Sequence, residues 1–331
     1  MGIRPENDSM IRGNAANGTN QSRFGLLKQT LSAEWKNRKV LYLMCLPALL
    51  QIVAFRYLPL GGLIVAFKDY SYRLGILGSP WVGFSNFRFL FGSFTILQVA
   101  WNTILLNLLF IVVPLFIAMI IALMFNELRW GGFKKVAQSI MLLPQFISWI
   151  VVGVVVYQFF NFEYGSINNL LKSLHISPLR FYSKPEYWRP ILTAIRVWHD
   201  VGWNSVIFLA TLAGIDPQLY EAATIDGAGK MSRTMRISVP YLYSTVSILV
   251  LMAIGRLFTG DFAMIYGIIG DNPPLYPTTD VIDTYVYRAL RQLGDVGMAS
   301  AAGFLQSILG FVVVMIANWG AKRMNEEGGL F

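Results

Sequence analysis

Six long apolar runs limit this 331-residue chain to very few folds. A helix needs about 20 apolar residues to cross the roughly 30 Å hydrocarbon core of a bilayer. Helices are favoured there because a backbone N–H or C=O group left unpaired in hydrocarbon is very costly. The predicted fold class is therefore an all-α integral membrane protein with six transmembrane helices. The predicted spans are residues 40–66, 100–125, 137–160, 190–213, 238–260 and 299–320.

The composition excludes several classes of function. Only 14% of the residues are charged, whereas soluble domains carry about 25%, which argues against an ordinary cytosolic enzyme. The net charge of +9 does not indicate nucleic-acid binding, because the basic residues fall between the apolar runs and form no clustered basic face. A single cysteine excludes a multi-cysteine metal site, and two histidines, His175 and His199, indicate no histidine-pair site. We therefore expect this chain to bind neither nucleic acid nor a metal ion.

The basic residues between the runs predict the orientation in the membrane. Lys and Arg side chains tend to stay on the cytoplasmic side during insertion. With both termini inside, the cytoplasmic segments hold 15 Lys and Arg residues and the outer segments hold nine. The sequence therefore predicts that both termini are cytoplasmic. The cytoplasmic segments in this arrangement are 1–39, 126–136, 214–237 and 321–331.

The region before the first run divides into two parts. Residues 1–22 are rich in Asn, Gly and Ser and are predicted to form a disordered cytoplasmic tail. Within residues 23–39, apolar side chains such as Phe24, Leu27 and Leu31 recur at helical spacing beside several lysines and arginines. This pattern predicts an amphipathic helix on the inner membrane surface, and a plain solvated tail is the alternative. The transmembrane domain is predicted to occupy residues 40–331.

The cytoplasmic segment 214–240 is unlike the other connections. Asp216 followed by Pro217 predicts a helix start, because aspartate caps a helix and proline suits its first turn. The small side chains of Ala222 and Ala223 leave a surface that another helix can approach closely. Gly227 then predicts the end of the helix, since glycine accepts the left-handed conformation found there. A compact helix–turn–helix on the inner face of a membrane bundle is typical of a docking element for a soluble partner.

The residues of this segment resemble the signature of the binding-protein-dependent ABC importer permeases. Val239 stands where that family usually has Leu, which is a mild departure. The stretches after the first run and before the third resemble the subgroup that imports complex oligosaccharides in Gram-positive bacteria. The residues to which the resemblance assigns coupling to an ATPase are Glu221, Ala222, Ala223, Asp226, Gly227, Ile237 and Pro240.

The resemblance implies a fold and a set of partners. The fold is the type I importer permease of six transmembrane helices with cytoplasmic coupling helices, in a bacterial plasma membrane. The partners are a second homologous permease subunit, a dimer of ATP-binding cassette subunits, an extracellular solute-binding lipoprotein and membrane lipids. ATP and Mg would bind to the partner ATPase, and no cofactor is expected on this chain. In agreement, Gly229-Lys230 is followed by Met231 and not by Ser or Thr, so no phosphate-binding Walker A loop is present.

Ionisable residues within the runs predict where a solute passes. Such residues cost roughly 2.5–3.5 kcal/mol each on insertion and normally face a protein interior or a water-filled path. Mixed aromatic and polar surfaces also suit sugars, which stack through their rings and hydrogen-bond through their hydroxyls. The alternative is that Arg196 and Asp200 form a structural ion pair across one helical turn. Ion pairing and lining of the pathway can both apply. The predicted pathway residues are Arg196, Trp198, His199, Asp200, Trp203, Asn204, Arg256 and Asp261.

Two other functions remain open from sequence alone. An ion-coupled secondary transporter would use carboxylates near the membrane midplane and often contains inverted repeats, but the spans offer essentially one deep carboxylate, Asp200. A membrane-embedded enzyme would need an acid and base constellation that the spans lack. An ATP-driven permease for an oligosaccharide, working by alternating access, is therefore the leading hypothesis.

Overall fold

The computed structural model describes residues 39–88, 94–128 and 130–324 of the chain, and its regular elements in these ranges are helical. Within the same ranges, the single β feature is an isolated bridge between Lys68 and Trp81. The chain divides into two compact units, residues 1–63 and 64–331. The predicted tail 1–22 and the predicted amphipathic helix 23–39, apart from its last residue, lie outside the described residues.

The longer helices are named in chain order. They are α1 Lys39–Phe67, α2 Phe94–Glu127, α3 Gly131–Leu142, α4 Trp149–Phe160, α5 Ser166–Ser173, α6 Trp188–Leu212, α7 Pro217–Ile225, α8 Val239–Ile254, α9 Phe262–Ile269, α10 Ile282–Leu293 and α11 Val296–Met324. Shorter helical turns are Gly75–Gly78, Ser85–Phe87, Leu143–Phe146, Phe181–Ser183, Pro185–Tyr187, Lys230–Arg233, Thr234–Ser238, Pro273–Leu275 and Tyr276–Thr279.

Within residues 39–88, 94–128 and 130–324, four helical stretches are long and apolar enough to cross a membrane. They are Lys39–Phe67, Thr95–Glu127, Lys230–Ile254 and Val296–Gly320, and they overlap the first, second, fifth and sixth predicted spans. The fourth predicted span, 190–213, coincides with the 25-residue helix α6. This helix is not among the four, because Arg189, Arg196 and Asp200 interrupt its apolar character. The chain is therefore a multi-pass membrane protein with at least four apolar spans.

The third predicted span, 137–160, differs most from expectation. Instead of one straight helix, the structure has Gly131–Phe146 and Trp149–Phe160, which meet at 100°. Between them, Ile147 and Ser148 adopt extended backbone conformations. Pro144 contributes to the break because it lacks an N–H group and cannot continue the hydrogen bonding of α3. Counting this bent pair as one span brings the total in the described part of the chain to five.

The core of the second unit is built around α2 and α6, which pack along each other. One buried cluster joins them to α4 and α9 through side chains such as Phe110, Val156, Leu192 and Ile265. A second cluster joins the other ends of α2 and α6 to α8. That second cluster consists of Ala118, Ala122, Phe125, Val201, Phe208, Leu209, Leu212, Ile215 and Leu242. These contacts fix the positions of the polar residues on α6.

Two glycines permit direct contact between helix backbones. A Cβ added at Gly202 of α6 would lie 1.8 Å from the Met141 carbonyl oxygen of α3. A Cβ added at Gly153 of α4 would lie 1.9 Å from the Gly267 carbonyl oxygen of α9. A side chain at either position therefore requires a helix to move.

Gly202→Ala should destabilise the fold by about 1–3 kcal/mol, as overpacked cores generally do. The neighbouring atom is a backbone carbonyl, which cannot swing aside as a side chain can. Thermal unfolding of the purified protein in detergent measures the effect. Gly320→Ala is the matched control, because nothing lies within 4 Å of its added Cβ. Equal unfolding temperatures for the two variants would contradict the tight contact.

Candidate functional site

An arginine between two carboxylates is the centre of the polar site on α6. The Arg196 Nε atom lies 2.6 Å from Asp200 Oδ2, one turn further along the helix. The Arg196 Nη1 atom lies 2.5 Å from Asp261 Oδ2. Asp261 is also the N-cap of α9, where its Oδ1 accepts a hydrogen bond of 3.2 Å from the Met264 N–H group. Arg196 therefore links α6 to the start of α9.

His199 extends this site toward the break between α3 and α4. Its Nδ1 atom lies 2.6 Å from Asp200 Oδ1, and its ring stacks on Trp149 with 4.0 Å between ring centroids. The imidazole is buried. Trp149 is the first residue of α4, so the bend at Ile147 and Ser148 brings the indole ring onto α6. The guanidinium of Arg196 lies 5.7 Å from the same indole ring, within cation–π range.

Two neighbouring cavities share the ion-paired residues Arg196 and Asp261. The smaller has a volume of about 180 Å³, and the larger has a volume of about 580 Å³. The smaller is lined by Gln145, Trp149, Arg196, His199, Asp200, Trp203, Asn204 and Asp261. The walls of the larger include Asn107, Phe110, Arg196, Arg256, Asp261 and Phe262. Together these side chains supply charged groups, amides and aromatic rings.

The structure brings most of the predicted pathway residues together. Six of them line the smaller cavity, namely Arg196, His199, Asp200, Trp203, Asn204 and Asp261. Arg256 lines the larger cavity. Trp198 does not join them, because it lies in an apolar cavity with side chains of α4 such as Val151 and Phe159. Arg196 and Asp200 do pair across one turn, so ion pairing and cavity lining coexist.

The position of Arg256 differs from the prediction. The predicted span 238–260 ends as a helix at Ile254, and the residues that follow form turns. Their end is held by Asp283 of α10, whose Oδ2 accepts a hydrogen bond from the Gly260 N–H group. Burial raises the pKa of Asp283 above its ordinary value, although this hydrogen bond lowers it in part. Arg256 therefore lies in the turns between α8 and α9, and it lines the same cavity as Asp261.

Sequence reasoning missed several residues that line the two cavities. Gln145 and Trp149 reach the site because of the bend in the third predicted span. Asn107 and Phe110 come from the middle of α2. The available signals were a glutamine and an asparagine within otherwise apolar runs. Those signals are weak, since a polar amide in a helical bundle often only satisfies backbone groups.

The helix predicted within segment 214–240 is confirmed as α7. The Asp216 Oδ1 atom accepts a hydrogen bond of 2.9 Å from the Gln218 N–H group, and Pro217 occupies the first turn. Gly227, two residues after the last residue of α7, terminates the helix with a left-handed φ of +77°. Around it, the Ala228 N–H group donates to the Ala223 carbonyl at 2.9 Å, which is the bond typical of a Schellman cap. Both ends of the helix therefore follow from local sequence.

The second half of the segment joins α8 through a widened turn. Residues Thr234–Ser238 form a π-helical turn directly before Val239 and Pro240. Pro240 has no N–H group and its ring would clash with the carbonyl four residues earlier, so the helix widens there. The same arrangement occurs in α1, where the π-helical turn Val53–Tyr57 precedes Leu58 and Pro59. The basic part of the segment and α8 thus form one continuous stretch, Lys230–Ile254.

One side of the segment is anchored to the bundle. The Tyr220 hydroxyl lies 2.8 Å from the Ser238 hydroxyl, and both Tyr220 and Ile237 pack against the core cluster that contains Leu242. The Arg233 guanidinium also donates to the Thr224 hydroxyl at 2.5 Å, which ties the two halves of the segment together.

Many other side chains of the segment are exposed. Leu219, Ile225 and Met231 are 53%, 87% and 68% exposed. The predicted residues Glu221, Ala222, Asp226 and Gly227 are also exposed, as is Pro240, whereas Ala223 and Ile237 are half-buried. An anchored helix pair with exposed apolar side chains has the properties of a docking surface.

Comparison with known proteins places this architecture among transporters. The family model described as "Binding-protein-dependent transport system inner membrane component" matches residues 115–326. The chain is 35% identical to Protein LplB of Bacillus subtilis (strain 168) over 296 residues, which cover 89% of this chain and 92% of LplB. It is 34% identical to the polygalacturonan/rhamnogalacturonan transport system permease protein YteP of the same organism, over 88% of this chain and 90% of YteP.

A solved structure agrees with these relatives. A bacterial ABC transporter involved in the import of the acidic polysaccharide alginate contains a chain that matches with a TM-score of 0.81 at 33% identity. The match covers 89% of this chain and 99% of that one. A second structure of an alginate transporter, in complex with an alginate pentasaccharide-bound periplasmic protein, matches with a TM-score of 0.80. The chain belongs to the family of binding-protein-dependent transport system inner membrane components.

Proposed function

We propose that this chain is the permease subunit of an ATP-driven importer that translocates an oligosaccharide by alternating access. In this proposal α6 and the bent pair of α3 and α4 complete a six-span bundle with both termini in the cytoplasm of a bacterium. ATP and Mg bind to a separate dimer of ATP-binding cassette subunits, and this chain hydrolyses no ATP itself. A second homologous permease completes the pathway, and a lipid-anchored binding protein delivers the solute from outside.

The proposal depends on the exposed side chains of segment 214–240. The exposed apolar side chain of Ile225 lies one helical turn from the acidic Glu221, and Leu219 is exposed as well. The same helix is anchored to the bundle through Tyr220. The predicted topology puts this surface on the side of the membrane where ATP is available. A soluble ATPase that bound there would act on α8 through the continuous stretch Lys230–Ile254.

The choice of a carbohydrate rests on the chemistry of the two cavities. Half-buried aromatic rings such as Trp149 and Phe262 can stack on sugar faces, while carboxylates and amides can pair with hydroxyls. The relatives YteP and the alginate importers are transporters of polysaccharides. A secondary transporter is disfavoured because it would use several carboxylates near the membrane midplane, whereas the predicted spans offer essentially one, Asp200.

Ile225→Asp should weaken binding of the ATP-binding subunit while the chain still inserts and folds, because the side chain is 87% exposed. The expected loss is roughly tenfold in the ATPase that copurifies, in line with a buried interface anchor. Copurification from bacterial membranes measures it. Tyr72→Asp is the matched control, since Tyr72 is 76% exposed in a predicted outer connection. Undiminished recovery of the ATPase with Ile225→Asp would count heavily against docking at this surface.

A further inference from the structure

The larger cavity contains an arginine without an ionic partner. Arg256 lines this cavity and is exposed to it. Across the described residues, its guanidinium forms no ion pair. Arg196, on the same cavity, differs because it is held between Asp200 and Asp261. The cavity therefore combines one guanidinium held by two carboxylates and one guanidinium with no ion pair among the described residues.

The backbone that carries Arg256 is braced from two helices. The side-chain amide of Asn107 in α2 donates hydrogen bonds of 3.1 Å to the carbonyls of Leu257 and Thr259. The side-chain amide of Gln306 in α11 donates a bond of 2.9 Å to the Phe258 carbonyl. These bonds hold the turn that follows Arg256 in one conformation. The guanidinium is thus presented from a fixed point on the cavity wall.

A guanidinium that faces a cavity without an ion pair is available to bind an anion. Arginine stays protonated in proteins, and a charge within a membrane protein is costly unless it faces water or a partner. Among the described residues that line the same cavity, Asp261 is the one carboxylate, and it is already paired with Arg196 and caps α9. A volume of about 580 Å³ lies within the range of about 300–1,000 Å³ found for small-molecule sites. The cavity therefore has room for a charged organic solute and not only for a small ion.

We propose that the transported oligosaccharide is acidic and that Arg256 binds the carboxylate of a uronic acid residue in it. A planar guanidinium matches a planar carboxylate with two parallel hydrogen bonds. Phe262 on the same cavity is half-buried and offers an aromatic surface to a sugar ring, and Asp261 offers acceptor oxygens to hydroxyl groups. This assignment rests on the proposed function, because it specifies the solute class of that same permease.

The test uses the complete transporter in proteoliposomes with its binding protein on the substrate side. The solutes are trisaccharides of galacturonate, mannuronate, guluronate and glucuronate, each paired with its carboxyl-reduced neutral counterpart. The chain is compared as wild type, Arg256→Gln, which removes the charge, and Arg256→Lys, which keeps the charge without the planar fork. Arg73→Gln is the matched control, because Arg73 is exposed in a different connection and lines neither cavity.

We expect the wild type to import at least one acidic trisaccharide in preference to its neutral counterpart. Arg256→Gln should lower that uptake roughly tenfold or more, as loss of a hydrogen-bonded charge contact does, and Arg256→Lys should lower it less. Arg73→Gln should leave it unchanged. Recovery of the second permease with Arg256→Gln should equal that with the wild type.

Several results would overturn the assignment. Import of neutral trisaccharides alone, or undiminished import of the acidic one by Arg256→Gln, would remove the role of Arg256 in recognising a carboxylate. Loss of the second permease from Arg256→Gln preparations would instead identify Arg256 as an interface residue. Import of no member of either set would reject the proposed carbohydrate function, and this assignment with it.

Discussion

Arg196→Met is expected to destabilise the chain by about 3 kcal/mol, the lower end of the range for removing one partner of a buried ion pair. The variant leaves Asp200 and Asp261 without the cation that both now share. We expect the lower end because the Arg196 side chain is 23% exposed, so water screens part of the remaining charge. Thermal or denaturant unfolding of the purified chain in detergent measures the change.

Arg291→Met supplies the matched control for this prediction. Arg291 also pairs with an aspartate, Asp271, but at 3.2 Å and with side chains 61% and 51% exposed. Exposed pairs of this kind contribute about 0–1 kcal/mol. Adding Asp261→Asn to Arg196→Met should restore part of the lost stability, because one of the two repelling carboxylates disappears. If Arg196→Met and Arg291→Met lowered the free energy of unfolding equally, the ion-paired cluster around Arg196 would not stabilise the fold.

Gly227→Val is expected to abolish most ATP-driven uptake while the chain still reaches the membrane. The left-handed φ of +77° at this position costs an L-residue roughly 1–2 kcal/mol, and a β-branched side chain is especially unfavourable there. Nothing lies within 4 Å of an added Cβ, so the effect is conformational and not steric. A conformational cost of this size lowers the population of the docked conformation roughly tenfold.

The measurement is solute uptake beside ATP hydrolysis in proteoliposomes that contain the whole transporter. We expect hydrolysis to persist without matching uptake, since the ATPase itself is unaltered. Gly229→Val is the matched control two residues away, because Gly229 has an extended backbone with φ −67° and ψ 164° and also has open space around it. Uptake by Gly227→Asn should lie between that of Gly227→Val and that of Gly229→Val, since asparagine tolerates the left-handed region. Normal uptake by Gly227→Val would reject the coupling role of this turn.

The sequence predicted those features that depend on neighbouring residues. The start of α7 at Asp216 and Pro217 and its end at Gly227 were readable because helix capping is local. Four spans were readable because hydrophobic length alone determines whether a helix can cross a membrane. The predicted span 137–160 contains a bend of 100° that was not foreseen, since Pro144 in an apolar run does not by itself reveal it.

The features that the sequence could not supply depend on tertiary packing. Asp261 was predicted as a pathway residue, but its pairing with Arg196 joins residues 65 positions apart. The stacking of His199 on Trp149 likewise requires the bend between α3 and α4. Trp198 was grouped with its sequence neighbours, yet two residues along a helix turn a side chain to nearly the opposite face. The role assigned to Arg256 depends on which carboxylates lie near it, and sequence does not contain that information.

The close backbone contacts at Gly153 and Gly202 have a mechanical consequence. Where two backbones touch, no intervening side chain can change rotamer to let one helix slide past the other. The contacts join α4 to α9 and α3 to α6, and the Arg196–Asp261 ion pair joins α6 to α9. We therefore expect these four helices to move as one rigid body during transport, so that the cavity opens and closes by movement of other helices against them.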